Sequence, residues 1–165
     1  MKRLVIVMGL LVAAAVLAQA SQLKYGATVT ADKATDFTKI KTYVWQSGWD
    51  ANDKKVHAQI VSAIDKELKD LGLTLKPSGP SDVIVKYASL RRIDVQADVR
   101  GDAASARQQL DVGTLVVQML DPGTGKQLFH ARVEKPIELG PDQVAAAISS
   151  AVGDIFAKYP TRVKK

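Results

Sequence analysis

Cysteine is missing from the entire 165-residue sequence, and its absence excludes several kinds of protein. Without cysteine the chain forms no disulfide, and a zinc site with cysteine ligands is impossible. A bacterial lipoprotein needs a cysteine directly after its leader to carry the lipid, so we expect no lipid anchor. The folded chain must therefore be stabilised by its hydrophobic core.

The sequence also lacks an apolar run of the roughly 20 residues that a membrane-spanning helix needs. The run that it does contain, Leu4–Ala18, follows two basic residues and leads into the small-residue pattern Ala18-Gln19-Ala20. This combination is typical of a secretory signal peptide. We predict a signal peptide over residues 1–20, cleavage between Ala20 and Ser21, and a single domain over 21–165. The mature protein would then be periplasmic or secreted, without a transmembrane span.

A strong charge of one sign is absent as well. The predicted signal peptide removes two of the 23 basic residues and none of the 17 acidic ones, so the net charge falls from +6 to +4. Nucleic-acid-binding domains carry dense clusters of lysine and arginine, so we expect no nucleic-acid partner. A modest positive charge is compatible with an anionic component of the cell envelope.

Motifs that carry chemistry are missing too. The two histidines, His57 and His130, lie outside any HExxH pattern, and no GxSxG elbow is present for a serine nucleophile. The stretch from Asp50 imitates the start of a calcium loop, but Lys54 and Lys55 stand at its fifth and sixth positions. We therefore predict no catalytic residues, no metal site and no cofactor, and we expect that the protein is not an enzyme.

One stretch, Asp121–Lys126, looks at first like a phosphate-binding loop. A true P-loop requires glycine where this chain has Leu120, and a hydroxyl residue where it has Gln127. The sequence between Asp121 and Gly125 instead has the proline and glycines that a β-hairpin turn needs. We predict a turn between two strands.

Two amphipathic helices are the clearest elements that are present. The first is predicted to begin after Asp53, which can cap its free N–H groups, and to end at Gly72. The second is predicted to begin near Pro141 and to stop at Pro160. Each carries apolar residues at three- and four-residue spacing: Val56, Ile60, Ala63, Ile64, Leu68 and Leu71 in the first, and Val144, Ile148, Val152, Ile155, Phe156 and Tyr159 in the second.

Strands are indicated where β-branched and aromatic residues are concentrated. The predicted strands are Thr28–Thr30, Thr42–Trp45, Ser81–Val95, Gly113–Leu120 and Gln127–Lys135. Asp36 is expected to cap one brief helical turn, and residues 98–109 are expected to form a connection or a short surface helix. These elements predict an α+β fold, with an antiparallel sheet and two long amphipathic helices packed on one face.

The strand pattern also predicts a candidate interaction surface. If Val117, Met119, Phe129, Ala131 and Val133 face the helices, then Gln118, His130 and Arg132 face away, with Lys86 beside them. The simpler interpretation of that mixed face is a solvated sheet surface, and the functional one is a docking surface for a protein or an anionic ligand. Trp49 is either an exposed aromatic anchor or, more simply, a half-buried lid over the core.

Four stretches together resemble a known family, the domain of unknown function 4136 found in bacterial envelope proteins and often in lipoproteins. They are DFTKIKTYVW, SDVIVKY, GTLVVQMLDPGTGKQLFHARVE and the terminal IFAKYP. The resemblance implies a small α+β envelope domain without established catalytic residues, so no site residue is carried over. Ser21 stands where the lipoprotein members have cysteine, which argues against a tether here.

Three functional hypotheses follow. The leading one is a soluble periplasmic, non-enzymatic module that binds an envelope protein or an anionic envelope component. The second is a carrier of an apolar small molecule, which requires a cavity of roughly 300 Å³ or more between helices and sheet. The third is an uncharacterised hydrolase, which requires a nucleophile and a base within hydrogen-bond reach in a cleft.

Overall fold

The computed structural model describes residues 25–96, 108–137, 140 and 143–162. The predicted signal peptide and its cleavage site lie outside these residues. The described chain contains six strands, two α-helices and a 3-10 turn. The strands are β1 (Ala27–Ala31), β2 (Thr42–Trp45), β3 (Thr74–Leu75), β4 (Val83–Gln96), β5 (Gln108–Leu120) and β6 (Gln127–Pro136), and the helices are α1 (Lys54–Asp70) and α2 (Val144–Phe156).

The six strands form a single mixed sheet in the order β1-β6-β5-β4-β2-β3. The pairs β1–β6, β6–β5 and β5–β4 are antiparallel, whereas β2 runs parallel to both β3 and β4. The α+β class is therefore confirmed, and the predicted antiparallel sheet is confirmed only in part, because β2 pairs parallel with both of its neighbours. The physical reason is that α1 follows β2, and a crossover through a helix returns the chain to the sheet in the same direction.

Helix α1 begins and ends where the sequence predicts. The Asp53 carboxylate accepts hydrogen bonds from the backbone N–H groups of Lys55 (2.8 Å) and Val56 (3.0 Å). At the other end Gly72 adopts a left-handed φ of 83°, a conformation that glycine tolerates without a Cβ clash. The short turn Phe37–Lys39 is likewise capped by Asp36, whose side chain accepts from the Thr38 N–H.

Helix α2 is shorter than its apolar pattern. It extends from Val144 to Phe156, and Pro141, the predicted start, lies outside the described residues. Tyr159 follows the last helical residue but is buried, and its ring lies 5.4 Å from that of Phe37 and 5.3 Å from that of Phe129. The apolar pattern therefore identified a core residue beyond the end of the helix.

Strand β5 begins earlier than predicted. Most of the predicted connection 98–109 lies outside the described residues, but Gln108 and Gln109 belong to the strand. They pair with Gln96 and Val95 of β4. Pairing with a neighbouring strand thus overrides the weak β propensity of glutamine.

One hydrophobic cluster joins the helices to alternate residues of the strands. Its helical members are Ile60, Ile64, Leu68, Ala151, Val152, Ile155 and Phe156. Leu128 of β6, at the register shift between Met119 and Leu120, also belongs to the cluster. The members of the cluster at alternate positions of β4, β5 and β6 are Val83, Val85, Tyr87, Leu115, Val117, Met119, Phe129, Ala131 and Val133. We call the side of the sheet that carries these strand residues the helix face, and the opposite side the outer face.

Candidate functional site

The Asp121–Lys126 segment forms a turn between β5 and β6, as predicted. The Asp121 carboxylate accepts from the Thr124 hydroxyl (2.8 Å) and from the backbone N–H groups of Thr124 (2.7 Å) and Gly123 (3.1 Å). The bond from the Thr124 hydroxyl, followed by the backbone bonds, lowers the pKa of Asp121. Gly125 adopts a φ of 69°. The N–H groups of Gly123 and Thr124 are thus bound to this carboxylate, and that of Gly125 is bound to the Asp121 carbonyl, so none of the three is free to hold a phosphate.

The two histidines lie on different sides of the sheet. His57, on α1, places Nδ1 2.6 Å from the Tyr87 hydroxyl, which also accepts the Ala51 N–H at 3.0 Å. His130 lies on the outer face, where its Nδ1 is 3.4 Å from the Gln118 amide nitrogen. Within the described part of the chain, no three acidic or histidine side chains converge on a common metal position.

Asp65 has a structural role that the sequence did not reveal. Asp65 is half-buried, and its carboxylate accepts from the Tyr43 hydroxyl at 2.6 Å and from the Trp45 indole N–H at 2.9 Å. Burial, followed by the hydrogen bond to Asp65, raises the pKa of Tyr43. These bonds attach β2 to α1. Hydrophobic periodicity carries no signal for them, because the partners come from separate elements.

One hydroxyl–amine pair resembles a nucleophile with its base. The Lys135 ammonium lies 2.7 Å from the Ser150 hydroxyl and 2.7 Å from the Asp154 carboxylate. An ammonium that is ion-paired with a carboxylate donates a proton to the hydroxyl and does not remove one. The pair is within hydrogen-bond reach but contains no base, so it does not meet the requirement of the hydrolase hypothesis.

A cleft opens on the helix face, between the sheet and the beginnings of the two helices. Its volume is about 660 Å³, above the size that the carrier hypothesis requires. Most of its walls are apolar side chains from both helices and from the strands. These apolar residues are Ala51, Val56, Ile60, Leu90, Leu115, Val133, Ile137, Val144, Ala147, Ile148 and Ala151.

Small residues keep this cleft open. Gly113, Ala147 and Ala151 all line it, so at these three positions no large side chain occupies the space. At Gly113 a Cβ would meet the Cγ2 atom of Ile137 at 2.8 Å, closer than real Cβ contacts. The absence of a side chain at Gly113 therefore allows Ile137 to lie against the floor of the cleft.

The charged residues at the rim of the cleft have partners within the chain. Arg91 forms an ion pair with Asp111, and the hydrogen bond in that pair raises the pKa of Arg91. Lys135 pairs with Asp154, and Asp53 caps α1. The cleft thus combines apolar walls with a rim whose charges are already paired.

The outer face brings together the five residues of the predicted interaction surface. Strand register places them in two adjacent rows that run across the sheet. The first row contains Lys86, Gln118, His130 and Thr30. The second contains Trp49, Ala88, Val116, Arg132 and Thr28. Paired residues project to the same side of a sheet, so the two rows form one continuous surface.

Trp49 is 73% exposed, so the half-buried lid is wrong and the exposed alternative applies. Its N–H donates to the Tyr87 carbonyl at 3.2 Å, and its carbonyl accepts from the Ser89 N–H at 2.9 Å. These bonds attach the segment after β2 to the side of β4. Gly48 permits this approach, because a Cβ there would lie 2.1 Å from the Tyr87 carbonyl oxygen.

Beside these rows lies an ionic cluster that the sequence analysis missed. Glu134 accepts from Arg92 at 2.6 and 3.0 Å and from Arg132 Nε at 2.9 Å. The hydrogen bonds from Arg92, and then those from Arg132, lower the pKa of Glu134 to about 2. Arg92 also donates to Asp94 at 2.7 Å. Such a cluster has no sequence signature beyond charged residues at alternate strand positions.

The family model described as Domain of unknown function (DUF4136) matches residues 28–161. No curated protein matches the chain. Among the described residues, no helix is long and apolar enough to cross a membrane.

Two solved structures have a similar fold. A PDZ domain protein from Parabacteroides distasonis superposes with a TM-score of 0.60 at 16% identity, over 86% of this chain and 36% of that chain. This chain therefore spans little more than a third of that protein. The PelC dodecamer from Paraburkholderia phytofirmans superposes with a TM-score of 0.55 at 11% identity, over 86% of this chain and 100% of that chain. At these identities the similarities support the fold alone.

Proposed function

This chain belongs to the DUF4136 family, and from that premise and the cleft described above we propose that it is a non-catalytic binding domain of the bacterial envelope. Its ligand is an apolar small molecule that occupies the cleft between the helices and the sheet. The proposed envelope location rests on the signal-peptide pattern at the start of the sequence.

The observation that carries this proposal is the apolar cleft of about 660 Å³. Small-molecule sites are concave, lined mainly by apolar side chains, and typically about 300–1,000 Å³ in volume. Val56, Val144 and Ile148 are each only half-buried and line this space. A ligand that covers them would remove apolar surface from water, which is the main source of affinity in such sites.

The paired charges at the rim narrow the class of ligand. Arg91 and Lys135 already have carboxylate partners, so a charged ligand would have to compete with Asp111 or Asp154. An uncharged molecule with a long aliphatic or fused-ring body requires no such exchange. We therefore assign the cleft to neutral, predominantly hydrocarbon ligands.

The test is a titration of the protein, recovered after export from an expressing bacterium, with N-phenyl-1-naphthylamine. This neutral apolar dye becomes more fluorescent when it leaves water. We expect saturable binding that Ala147→Trp weakens at least about tenfold, because the indole would occupy the cleft. Ala146→Trp is the matched control, since Ala146 is exposed on the same helix and does not line the cleft. Absence of saturable binding, or equal binding by the two variants, would reject the proposal.

The exposed Trp49 favours a second candidate function, docking of an envelope protein on the outer face. Tryptophan and arginine are the residues most enriched at the energetic centres of protein interfaces. Here Trp49 and Arg132 lie in one cross-strand row, with Lys86 in the next. A photo-crosslinking residue at position 49 should give a discrete protein adduct in the native envelope, and Arg132→Ala should abolish it. The same residue at Leu75, exposed on β3, is the control; equal adducts at the two positions would count against docking.

A further inference from the structure

On one side, strand β4 pairs with β2 and then with Trp49, but it continues well beyond them. The last backbone bond on that side joins the Ser89 N–H to the Trp49 carbonyl at 2.9 Å. From Leu90 to Gln96, β4 pairs with β5 on its other side. Among the described residues, no strand covers this stretch on the side of β2. We call Leu90–Gln96 the open edge.

The backbone groups that point outwards along the open edge follow from the bonds that precede it. The carbonyls of Val85 and Tyr87 accept from Gln46 and Trp49, and the Ser89 N–H donates to Trp49. Odd-numbered residues of β4 therefore direct their N–H and C=O groups to this side. In a strand the direction alternates from residue to residue, so Arg91, Ile93 and Val95 present theirs along the open edge.

The other edges of the sheet are protected in ways that this one is not. Strand β3 is only two residues long, and on β1 the Lys158 ammonium donates to the Ala27 carbonyl. Short edges and lysine side chains are common defences against pairing with another chain. The open edge is longer, and at its centre Ile93 is 63% exposed. An apolar side chain at an unpaired edge favours addition of a strand.

We propose that the open edge pairs with the same edge of a second copy of this chain, antiparallel about a twofold axis at Ile93. Opposed charges select this register. With Ile93 opposite its own counterpart, Arg92 of each copy lies opposite Asp94 of the other. Centring the pair on Arg91, Arg92 or Asp94 would place identical charges opposite each other, which is destabilising.

The local geometry agrees with this register. Ile93 presents both backbone groups outwards, so two copies exchange a pair of N–H···O bonds at the axis. Arg92 and Asp94 then form the neighbouring non-hydrogen-bonded pairs, in which side chains approach more closely. Within its own chain Arg92 uses four of its five N–H groups, on Asp94 and Glu134, so one remains for the second copy.

The first experiment is sedimentation velocity of the protein recovered after export. We expect a monomer–dimer equilibrium that Ile93→Lys weakens by about tenfold or more, because a charge at the axis opposes its own counterpart. A protein that stays monomeric up to its solubility limit would overturn the proposal. The dimer depends on backbone groups of the open edge, whereas the dye test depends on the apolar walls of the cleft, so failure here leaves the dye-binding test of the proposed function unaffected.

The register is tested by disulfide formation, for which the cysteine-free chain provides a clean background. Ile93→Cys would place two thiols across the axis at a Cα separation of about 5.5 Å, within the range for disulfides. Leu90→Cys is the matched control, because this register separates its two copies by roughly 20 Å. We expect an oxidised dimer from the first variant only. No dimer from Ile93→Cys, or equal dimer from both, would overturn the register.

Discussion

Glu134 illustrates what a single residue contributes on the outer face. It lies between Arg92 and Arg132 and is largely shielded from solvent, while both arginines remain partly exposed. The attraction is therefore screened by water, and its contribution to stability is smaller than the low pKa alone would suggest. What the cluster does provide is a fixed position for Arg132 within the row that contains Trp49.

The low pKa of Glu134 predicts how its contribution depends on pH. Because the folded state holds this pKa at about 2, below the usual 4.5, the carboxylate stabilises the fold fully above about pH 4.5. That contribution is lost as the pH falls towards 2. We expect Glu134→Gln to lower the free energy of unfolding at pH 7 by about 1–2 kcal/mol, and the difference from wild type to vanish near pH 2.

Urea unfolding at a series of pH values measures this difference. The control is Asp70→Asn, which removes an exposed ion pair with Lys66 at 3.2 Å and should change the stability by less than about 0.5 kcal/mol. A Glu134→Gln effect that stays constant down to pH 2 would show that the carboxylate is not held by its charge.

At the scale of elements, the sequence predicted what local signals determine. The cap at Asp53, the left-handed Gly72 and the β5–β6 turn each depend on residues close together in the chain. The parallel pairing of β2 with β4 depends instead on distant residues, such as Asp82, which accepts from the N–H groups of Lys41 and Thr42. No periodicity in the sequence reports such partners.

The same distinction applies to the candidate surface. Alternation along β4, β5 and β6 placed Lys86, Gln118, His130 and Arg132 on one face from the sequence alone, because side chains alternate strictly along a strand. The exposure of Trp49 could not be predicted in this way. It depends on how closely the segment after β2 approaches β4, which Gly48 determines.

Gly48→Ala tests that approach. A Cβ only 2.1 Å from the Tyr87 carbonyl oxygen would force the segment away from β4 and break both backbone bonds of Trp49. We expect a loss of about 2 kcal/mol or more in unfolding free energy and faster amide hydrogen exchange at Trp49 and Ser89.

Gly26→Ala is the control for this substitution, because nothing lies within 4 Å of a Cβ built at Gly26. Its effect should stay within about 0.5 kcal/mol, as for most surface substitutions. Unchanged exchange at Ser89 in Gly48→Ala would mean that Trp49 is not attached to β4 in solution.

At the scale of the whole molecule, the helix face is packed at one end and open at the other. The rings of Phe37, Phe129, Phe156 and Tyr159 fill the packed end, with centroids 5.3–6.2 Å apart in the contacting pairs. The open end is the cleft lined by Ala147 and Gly113. The carrier hypothesis predicted a cavity between the helices and the sheet. Which residues line that cavity depends on how the helices pack on the sheet, and this is a property of the assembled fold.

Ile60 and Ile64 allow the open and the packed end of the helix face to be compared within one helix. They lie one turn apart on the same apolar stripe and are exposed by only 3% and 0%, so neither the sequence pattern nor the exposed fraction distinguishes them. Ile60, however, lines the cleft, whereas Ile64 does not. Truncating Ile64 would leave a closed cavity in a packed core, at a cost of about 3–5 kcal/mol. Truncating Ile60 would enlarge a space that is already open, so the cost should approach the transfer term alone, about 2 kcal/mol.

Urea unfolding of Ile60→Ala and Ile64→Ala, with m-values unchanged from wild type, therefore measures whether the cleft is open in solution. Equal losses for the two variants would mean that the helices close over the cleft, and the proposed binding site would lose its physical basis. If Ile64→Ala is the more destabilised, dye binding should change in Ile60→Ala alone, because only that substitution alters the walls of the cleft. The unfolding free energies and the dye affinities would then agree that the open end of the helix face includes Ile60 and that the packed end includes Ile64.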